Sequence, residues 1–258
     1  MNKDYNMLAK AAILINVDEN EILFEKNADE RRPMASLTKM MTALLIYEDI
    51  QRGVLHLNEI VEVTDHTASI RGSRIKLNHG DKITIHDLLK GLLIASGNDA
   101  AVALATHTAP QYELFIERMN DRAKQLGLKN THYQNSHGLD ANAHYSSARD
   151  VCTLAEELVK MTPVLNLTRR QLINIKINNH WETISNTNKL LGNYKGVDGL
   201  KTGRTLQAGF CIAATAQLQK HRLLAVVMGE PSISSLMNDV TTLFDFGFSK
   251  EFKERNNV

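Results

Sequence analysis

The sequence lacks the features that mark several large classes of protein. Its 258 residues include only two cysteines, Cys152 and Cys211, which are too few to indicate a disulfide framework or a redox compartment. No apolar run approaches the roughly 18 residues that a membrane-spanning helix needs, and the first residues lack the apolar core and cleavage site of a signal peptide. Thirty lysines and arginines face 29 aspartates and glutamates. This balance argues against a nucleic-acid-binding surface.

Linkers, internal repeats and low-complexity segments are also missing, so we expect a single domain over residues 1–258. Strand patterns lie at both ends of the chain, and helical patterns fill the middle. Strands are predicted over 11–17 and 21–26, and a strand meander over 199–229. The economical arrangement is an α+β fold, an α/β sandwich in which one antiparallel sheet pairs the two ends and helices cover both faces. A helical subregion is expected over about 54–165.

The helix predicted from Ser36 to about Gly53 carries the first candidate for chemistry. Ser36-Leu37-Thr38-Lys39 has the form S-x-x-K, and residues three apart share a helix face. The amine of Lys39 can therefore reach the Ser36 hydroxyl, which needs a base to act as a nucleophile at neutral pH. Burial and a nearby cation would lower the pKa of Lys39 and suit it to that role. The free amide of Ser36 at the helix start would help to hold an oxyanion.

S-x-x-K alone is a weak signal, because Ser73-Arg74-Ile75-Lys76 also fits it. This second match lies in a polar stretch flanked by glycine, which predicts a loop or a strand. Two further patterns make the prediction of an active site around Ser36 more specific. Ser96-Gly97-Asn98 lies at a helix break, where short polar side chains can point into a cleft. Lys201-Thr202-Gly203 offers a cation, a hydroxyl and a close backbone approach on or beside a strand. Together these groups suit a substrate that ends in a carboxylate next to a reacting carbonyl.

The order S-x-x-K, S-x-N, K-T-G, spaced by 60 and then 105 residues, resembles the motif set of the penicillin-recognising serine enzymes. Within that superfamily the chain is most similar to the low-molecular-mass D-alanyl-D-alanine carboxypeptidases. The similarity extends from about residue 9 to 249. The stretches that carry it are ASLTKMMTALL (35–45), LLKGLLIASGNDAAVALA (88–105), LGLKNTHYQNSHGLDANAHYSSARD (126–150), GVDGLKTGRT (196–205) and AVVMGEP (225–231).

The resemblance implies catalytic roles for four residues. Ser36 would attack the carbonyl between the two terminal D-alanines of a peptidoglycan stem peptide, and Lys39 would accept its proton. Ser96 would relay a proton to the leaving D-alanine. Asn98 would hold the lysine and the substrate amide, and a water molecule would then hydrolyse the acyl-enzyme.

It also implies how the substrate is bound. The terminal carboxylate would contact Lys201 and Thr202, together with Thr205, and Gly203 would let the substrate approach the backbone. The amides of Ser36 and Arg204 would form the oxyanion hole. β-Lactam antibiotics would acylate the same serine, and no metal or cofactor is implied.

The family also sets expectations about location. A C-terminal β-domain and an amphipathic membrane anchor are common in it, and we expect both to be absent from this chain. The enzyme is expected to act in the cell envelope, outside the cytoplasm, through a leader or tail that this sequence does not include.

Three arginines depart from the family pattern or lie close to the motifs. Arg204 stands after K-T-G, where the family often has histidine or an aromatic residue, and Arg71 and Arg74 flank Gly72-Ser73. We hypothesise that these arginines favour an acidic stem peptide. The alternative is that they are solvated surface charges.

Other interpretations compete with these assignments. Tyr133-Gln134-Asn135 could replace S-x-N as a Y-x-N motif. Its position in a loop favours a structural role instead. His132, His137 and His144 lie close together without the spacing of a known metal motif. The rival enzyme is a serine β-lactamase, and the candidates for its deacylating carboxylate, Glu156 and Glu157, lie in the middle of a helix. A rival of another class is a catalytically silent peptidoglycan-binding protein.

Overall fold

The computed structural model describes the backbone of residues 7–255 and the side chains of residues 7–250. Nine strands are present over this part of the chain: β1 (Ala11–Asn16), β2 (Glu21–Lys26), β3 (Ile60–Glu62), β4 (Lys82–Thr84), β5 (Leu172–Ile177), β6 (His180–Ser185), β7 (Val197–Thr205), β8 (Gly209–Leu218) and β9 (His221–Glu230). Eight α-helices accompany them: α1 (Lys39–Gln51), α2 (Asp65–Ser69), α3 (Ile85–Leu93), α4 (Asn98–Thr108), α5 (Tyr112–Gln125), α6 (Ala148–Val159), α7 (Thr162–Thr168) and α8 (Ile233–Arg255).

The main sheet joins the two ends of the chain. Its strand order is β2-β1-β9-β8-β7, and every neighbouring pair is antiparallel. The N-terminal hairpin meets the C-terminal meander along β1 and β9, from Ala11 opposite Met228 to Asn16 opposite Leu223. The predicted pairing of hairpin and meander is therefore confirmed.

Helices cover both faces of this sheet, as predicted. Alternate residues of β1 enter different apolar cores, with Ile13 in the core that contains α1 and α6 and Leu14 in the core that contains α8. Because neither face of the strand is open to water, all six residues of β1 are buried. The alternation of polar and apolar side chains seen in half-exposed strands is consequently lost.

A second sheet corrects the expectation of one sheet. It has the order β3-β4-β5-β6 and lies within and beside the predicted helical subregion. Strands β3 and β4 have three residues each, too few for a period-two pattern to register. Only β5 shows the alternation that predicts a strand. Helix α7 was also unexpected, since Pro163 reads as a stop after α6 but in fact lies in the first turn of α7.

Capping residues set the starts of two helices in the helical subregion. The hydroxyl of Ser147 accepts a hydrogen bond from the amide of Asp150 and begins α6, and Thr84 does the same for Asp87 at α3. Among the described residues, no helix has both the length and the apolar composition that a membrane crossing requires.

Candidate active site

Ser36 lies in a short 3-10 turn that leads into α1. The turn spans Ala35–Thr38, so the predicted helix begins with tighter winding than expected and becomes α-helical at Lys39. Ala35 has a left-handed backbone with φ of 48°, which is unfavourable for a residue with a Cβ and is typical of functional sites. The turn presents the half-buried Ser36 side chain to a cavity and places Lys39 behind it, in the core.

Lys39 is fully buried and holds three hydrogen-bond partners. Its Nζ lies 2.8 Å from Ser36 Oγ, 2.7 Å from Asn98 Oδ1 and 2.5 Å from the carbonyl oxygen of His137. An ammonium group would donate to all three acceptors. A neutral amine has one hydrogen fewer and a lone pair, and only Ser36 among the three partners has a proton to give. The geometry therefore suits a neutral Lys39 that accepts the Ser36 proton.

The electrostatics favour that neutral form. Burial lowers the pKa of Lys39 well below its ordinary value, and the positive charge of Lys201 lowers it further, while the carboxylate of Asp99 opposes both effects. Desolvation penalises the charged state of a buried amine, so Lys39 gives up its proton more readily than an exposed lysine and is suited to the role of a base.

The second motif lies at the start of α4. Ser96 has a left-handed backbone with φ of 61° and its Oγ accepts a hydrogen bond from Lys201 Nζ at 2.9 Å. The side chain of Asn98 bridges two segments, since Oδ1 accepts from Lys39 and Nδ2 donates to the carbonyl oxygen of Arg71 at 2.7 Å. Asn98 thus fixes the orientation of the lysine amine.

The third motif lies on β7, at the edge of the main sheet. Lys201 is buried, and burial lowers its pKa to about 7. Besides Ser96 it contacts the carbonyl oxygen of Thr202 at 2.8 Å. The hydroxyl oxygen of Thr202 lies 2.6 Å from that of Thr187. Thr205 donates to a carboxylate oxygen of Asp140 at 2.6 Å, so its hydroxyl is held at the rim of the site.

Gly203 allows β7 to pass close to the turn that carries Ser36. A Cβ at this position would lie 2.8 Å from the amide nitrogen of Ser36 and 3.0 Å from the Cβ of Ala35. Only glycine leaves room for this approach. Arg204 follows on the same strand, with its guanidinium carbon 5.0 Å from the centre of the Phe210 ring. The two residues predicted for the oxyanion hole therefore border the same gap.

These elements enclose a cavity of about 200 Å³, which we call the Ser36 pocket. Side chains or backbone from all three motifs line it, together with an apolar wall. Its lining residues are Ser36, Ser73, Ser96, Thr187, Thr202, Gly203, Arg204, Phe210, Cys211, Ile233, Leu236 and Met237. Lys39, Asn98 and Lys201 lie beneath this lining, and Thr205 lies beside it. Every residue predicted for the site is thus brought to one place.

Several residues at the site carry no motif signal. The His137 carbonyl contacts Lys39 through the main chain, which any residue could supply. Asp99, by contrast, follows Asn98 directly and is fully buried. Its carboxylate accepts hydrogen bonds from the amides of Ile75 and Leu77 at 3.0 and 3.1 Å, so it ties the loop that contains Ser73 to the second motif. A carboxylate in the first turn of a helix is a recognisable capping signal that could have identified it.

The competing Y-x-N segment lies behind the site. Tyr133 is buried, and Asn135 Oδ1 accepts hydrogen bonds from the amides of His137 and Gly138 at 3.2 and 2.6 Å. These contacts shape the turn that offers the His137 carbonyl to Lys39. Neither Tyr133 nor Asn135 lines the Ser36 pocket.

The histidines of the same loop make structural contacts. His144 Nδ1 accepts a hydrogen bond from the amide of Gln134 at 2.9 Å, so its Nε2 carries the proton and donates to Thr38 Oγ1 at 2.8 Å. Burial lowers the pKa of His144 to about 4 and that of His137 to about 3. Within residues 7–250, no three side chains of the metal-binding types cluster in a way that could hold an ion.

Comparison with known proteins identifies relatives over almost the whole chain. A model of the D-alanyl-D-alanine carboxypeptidase family matches residues 1–232. D-alanyl-D-alanine carboxypeptidase DacF of Bacillus subtilis (strain 168) is 41% identical over 245 residues, which are 94% of this chain and 62% of that protein. The chain therefore spans less than two thirds of the length of that relative.

Solved structures share the fold at full length. The Streptomyces K15 DD-transpeptidase superimposes with a TM-score of 0.89 at 30% identity, over 96% of this chain and 100% of that one. Penicillin-binding protein D2 from Listeria monocytogenes, in its ampicillin-bound form, gives a TM-score of 0.86 at 29% identity. The match covers 95% of this chain and 100% of that one. The fold, the arrangement of the three motifs and these relatives agree. The chain belongs to the D-alanyl-D-alanine carboxypeptidase family.

Proposed function

We propose that this protein is a serine D-Ala-D-Ala carboxypeptidase that removes the terminal D-alanine of peptidoglycan stem peptides. The observation that carries the proposal is the hydrogen bond of 2.8 Å between the buried amine of Lys39 and the hydroxyl of Ser36. A base of lowered pKa is thereby in contact with a nucleophile that faces a cavity. The family to which the chain belongs supplies the substrate class.

Acylation would begin with transfer of the Ser36 proton to Lys39. Ser36 Oγ attacks the carbonyl carbon between the two D-alanines, and the negative charge that develops on the carbonyl oxygen is held by the amides of Ser36 and Arg204. The carbon–nitrogen bond then breaks. The leaving amine takes the hydroxyl proton of Ser96, whose oxygen accepts from Lys201. The proton that Lys39 took from Ser36 then replaces it, so Lys39 is neutral again.

Deacylation would reverse these roles with water. Lys39, again neutral after the proton has left with D-alanine, removes a proton from the attacking water molecule, and Ser36 leaves as the hydroxyl. The oxyanion hole serves both tetrahedral intermediates because the same carbonyl is attacked twice.

Recognition of the terminal carboxylate falls to the third motif. Lys201 supplies the positive charge below the pocket, and the hydroxyls of Thr202 and Thr205 supply hydrogen bonds. Thr205 is held by Asp140 at 2.6 Å. We expect the carboxylate to bind mainly through Lys201 and Thr202, since Thr205 already donates its hydrogen to an anion.

β-Lactams would acylate Ser36 by the same steps and remain attached longer. The Listeria relative in its ampicillin-bound form supports this expectation. Because the proposed substrate belongs to the cell wall, we place the working protein in the cell envelope, outside the cytoplasm. Since β1 and β9 are adjacent in one sheet, we also propose that the described residues fold as one domain.

A β-lactamase activity is the rival proposal, and the geometry favours it less. The candidate carboxylates Glu156 and Glu157 lie on α6, and neither lines the Ser36 pocket. Glu157 instead bonds Lys160 at 2.5 Å on the surface. A silent peptidoglycan-binding role is opposed by the intact contact between nucleophile and base.

The test is release of D-alanine from a diacyl-Lys-D-Ala-D-Ala peptide. We expect release by the wild type and none by the Ser36→Ala variant, with unfolding curves that match. Ser73→Ala tests the other S-x-x-K. Although Ser73 lines the Ser36 pocket, the base Lys39 contacts Ser36, so this variant should still release D-alanine. A folded wild type without activity would contradict the proposal, and rapid, complete turnover of benzylpenicillin would favour the lactamase.

A further inference from the structure

The single tryptophan of the chain lies in an unusual place. Trp181 is on β6 in the second sheet, and 67% of its surface is exposed. Aromatic side chains bury a large apolar area and contribute strongly to cores and interfaces, and this one does neither within the described residues. Ile60 on β3, in the same sheet, is also exposed to 53%. The two residues lie on the two edge strands of this sheet, so what they share is the groove between them.

Trp181 and Ile60 border a common groove of about 460 Å³, which we call the Trp181 groove. It lies between β3, β4, the start of α3 and the β5–β6 hairpin. Its polar lining includes the amide side chains of Asn58 and Asn179 and the amines of Lys82 and Lys176. The Lys176 amine lies over one face of the Trp181 ring, 5.9 Å from its centre, and the ring remains largely exposed. The groove thus combines an exposed aromatic ring with several hydrogen-bond donors.

This combination matches the chemistry of a sugar chain. A pyranose ring offers a flat face of C–H groups to an aromatic ring, while its hydroxyl and acetamido groups seek amide and ammonium partners around the edge. A lipid surface or an apolar helix would need a continuous apolar floor, and here Lys82 and Thr84 lie beside Ile60 and Trp181.

The charge in the groove agrees with a carboxylate-bearing sugar. Lys90 is paired with Asp87 at 2.6 Å. Within residues 7–250, neither Lys82 nor Lys176 forms an ion pair with a carboxylate. Muramic acid units that have lost their peptide carry a carboxylate, and these two amines are available to it.

The groove lies within reach of the Ser36 pocket. Thr187 lines that pocket. It lies six residues after Trp181, just past the end of β6, so the two residues are at most about 20 Å apart. An extended stem of five residues reaches about 18 Å. A stem whose last D-alanine lies at Ser36 would therefore bring its sugar chain to the distance of Trp181.

We propose that the Trp181 groove binds the amino-sugar glycan strand of peptidoglycan, the polymer that carries the stem peptides. The proposal rests on the proposed function for its choice of polymer. It assigns a second contact for the substrate, outside the Ser36 pocket, that would favour stems still attached to the wall over free peptides.

The first test uses Trp181 as its own reporter, because the sequence has a single tryptophan and that residue lines the groove. The Ser36→Ala protein is titrated with stem-free glycan strands and with oligomers of N-acetylglucosamine. We expect a saturable change in emission with both, and tighter binding of the strands that carry muramic carboxylates. Lys176→Ala should reduce that difference. No change in emission with either sugar, or a change with anionic lipid vesicles alone, would overturn the proposal.

The second test compares D-alanine release from intact wall polymer with release from a soluble peptide. Trp181→Ala should lower the ratio of the two rates by about two- to tenfold, while Trp181→Phe should retain most of it. Leu8→Ala, which removes another exposed apolar side chain away from the groove, should leave the ratio unchanged. An unchanged ratio in Trp181→Ala would contradict the proposal. If the wild type releases no D-alanine from either substrate, the proposed function fails. The emission titration then still shows whether the Trp181 groove binds glycan strands.

Discussion

The amine of Lys201 lies 2.9 Å from the hydroxyl oxygen of Ser96, and both side chains are buried. This contact joins β7 to the start of α4 and brings together motifs that are 105 residues apart in the sequence. Because Lys201 donates, Ser96 keeps its own hydrogen for another acceptor. In the proposed mechanism, the pair would link binding of a carboxylate to transfer of a proton.

Titration of Lys201 should appear in substrate binding. Burial lowers its pKa to about 7, so the charged form that attracts a carboxylate prevails below that pH and is lost above it. We expect the KM for a D-Ala-D-Ala peptide to rise as pH increases through 7, approaching tenfold for each pH unit. Steady-state kinetics at a series of pH values measure this. A KM that stays constant up to about pH 9 would show that Lys201 is charged throughout.

Asp99 should influence both stability and the base. Asp99→Asn keeps one acceptor oxygen but loses the charge that serves the amides of Ile75 and Leu77, which should reduce the free energy of unfolding by about 1–3 kcal/mol. The Asp99 charge also raises the pKa of Lys39. Its removal should lower that pKa, so kcat/KM should persist to lower pH before the base becomes protonated.

Urea unfolding and the pH dependence of kcat/KM separate these two effects. Glu113→Gln is the matched control, since it removes an exposed carboxylate from the first turn of another helix. It should change neither quantity. An acidic limb that moves to higher pH in Asp99→Asn would contradict the assignment of Lys39 as the base.

Gly203 should be intolerant of any side chain. In Gly203→Ala the new Cβ would lie 2.8 Å from the amide nitrogen of Ser36 and would push β7 away from the turn that carries Ser36. We expect the acylation rate with benzylpenicillin to fall by about 10²-fold or more. Gly53→Ala, where a Cβ would meet nothing within 4 Å, should lose about 1 kcal/mol of stability and keep its acylation rate. Equal acylation rates in both variants would rule out this role for Gly203.

Much of the fold could be predicted because its signals are local. Apolar runs separated by turn residues predict both the hairpin of β1 and β2 and the meander of β7, β8 and β9. The second sheet could not be predicted, because β3 and β4 are held by pairing with distant residues. Ile83 of β4, for example, pairs with Ile177 of β5.

The candidate site, like the fold, has a part that could be predicted from the sequence and a part that could not. Its side chains Ser36, Lys39 and Lys201 could be predicted because S-x-x-K places the first two on one helix face and the resemblance to a known motif set supplies the third. The carbonyl of His137 and the hydroxyl of Thr187 could not. The first is a main-chain atom, and the second reaches the site only through the path of the chain after β6.

Arg204 should affect the choice of stem peptide. Its exposed guanidinium lies over Phe210 at the Ser36 pocket, whereas Arg74 donates to the carbonyl oxygen of Ala68 at 2.9 Å. We expect Arg204→Tyr to reduce the preference for free-acid over amidated stem peptides by about three- to tenfold, and Arg74→Gln to leave it unchanged. The ratio of kcat/KM for the two peptides measures the preference. An identical ratio in Arg204→Tyr and wild type would remove Arg204 from specificity.

The most direct test of the central claim is to locate the acyl group on the protein. After brief exposure to benzylpenicillin, the protein is digested and the modified peptide is identified by mass spectrometry. We predict one adduct, on Ser36, that is absent from Ser36→Ala and greatly reduced in Lys39→Met, while Ser73→Ala is still acylated at Ser36. An adduct on Ser73 or Ser96, or undiminished acylation of Lys39→Met, would contradict the account of Ser36 as a nucleophile activated by Lys39.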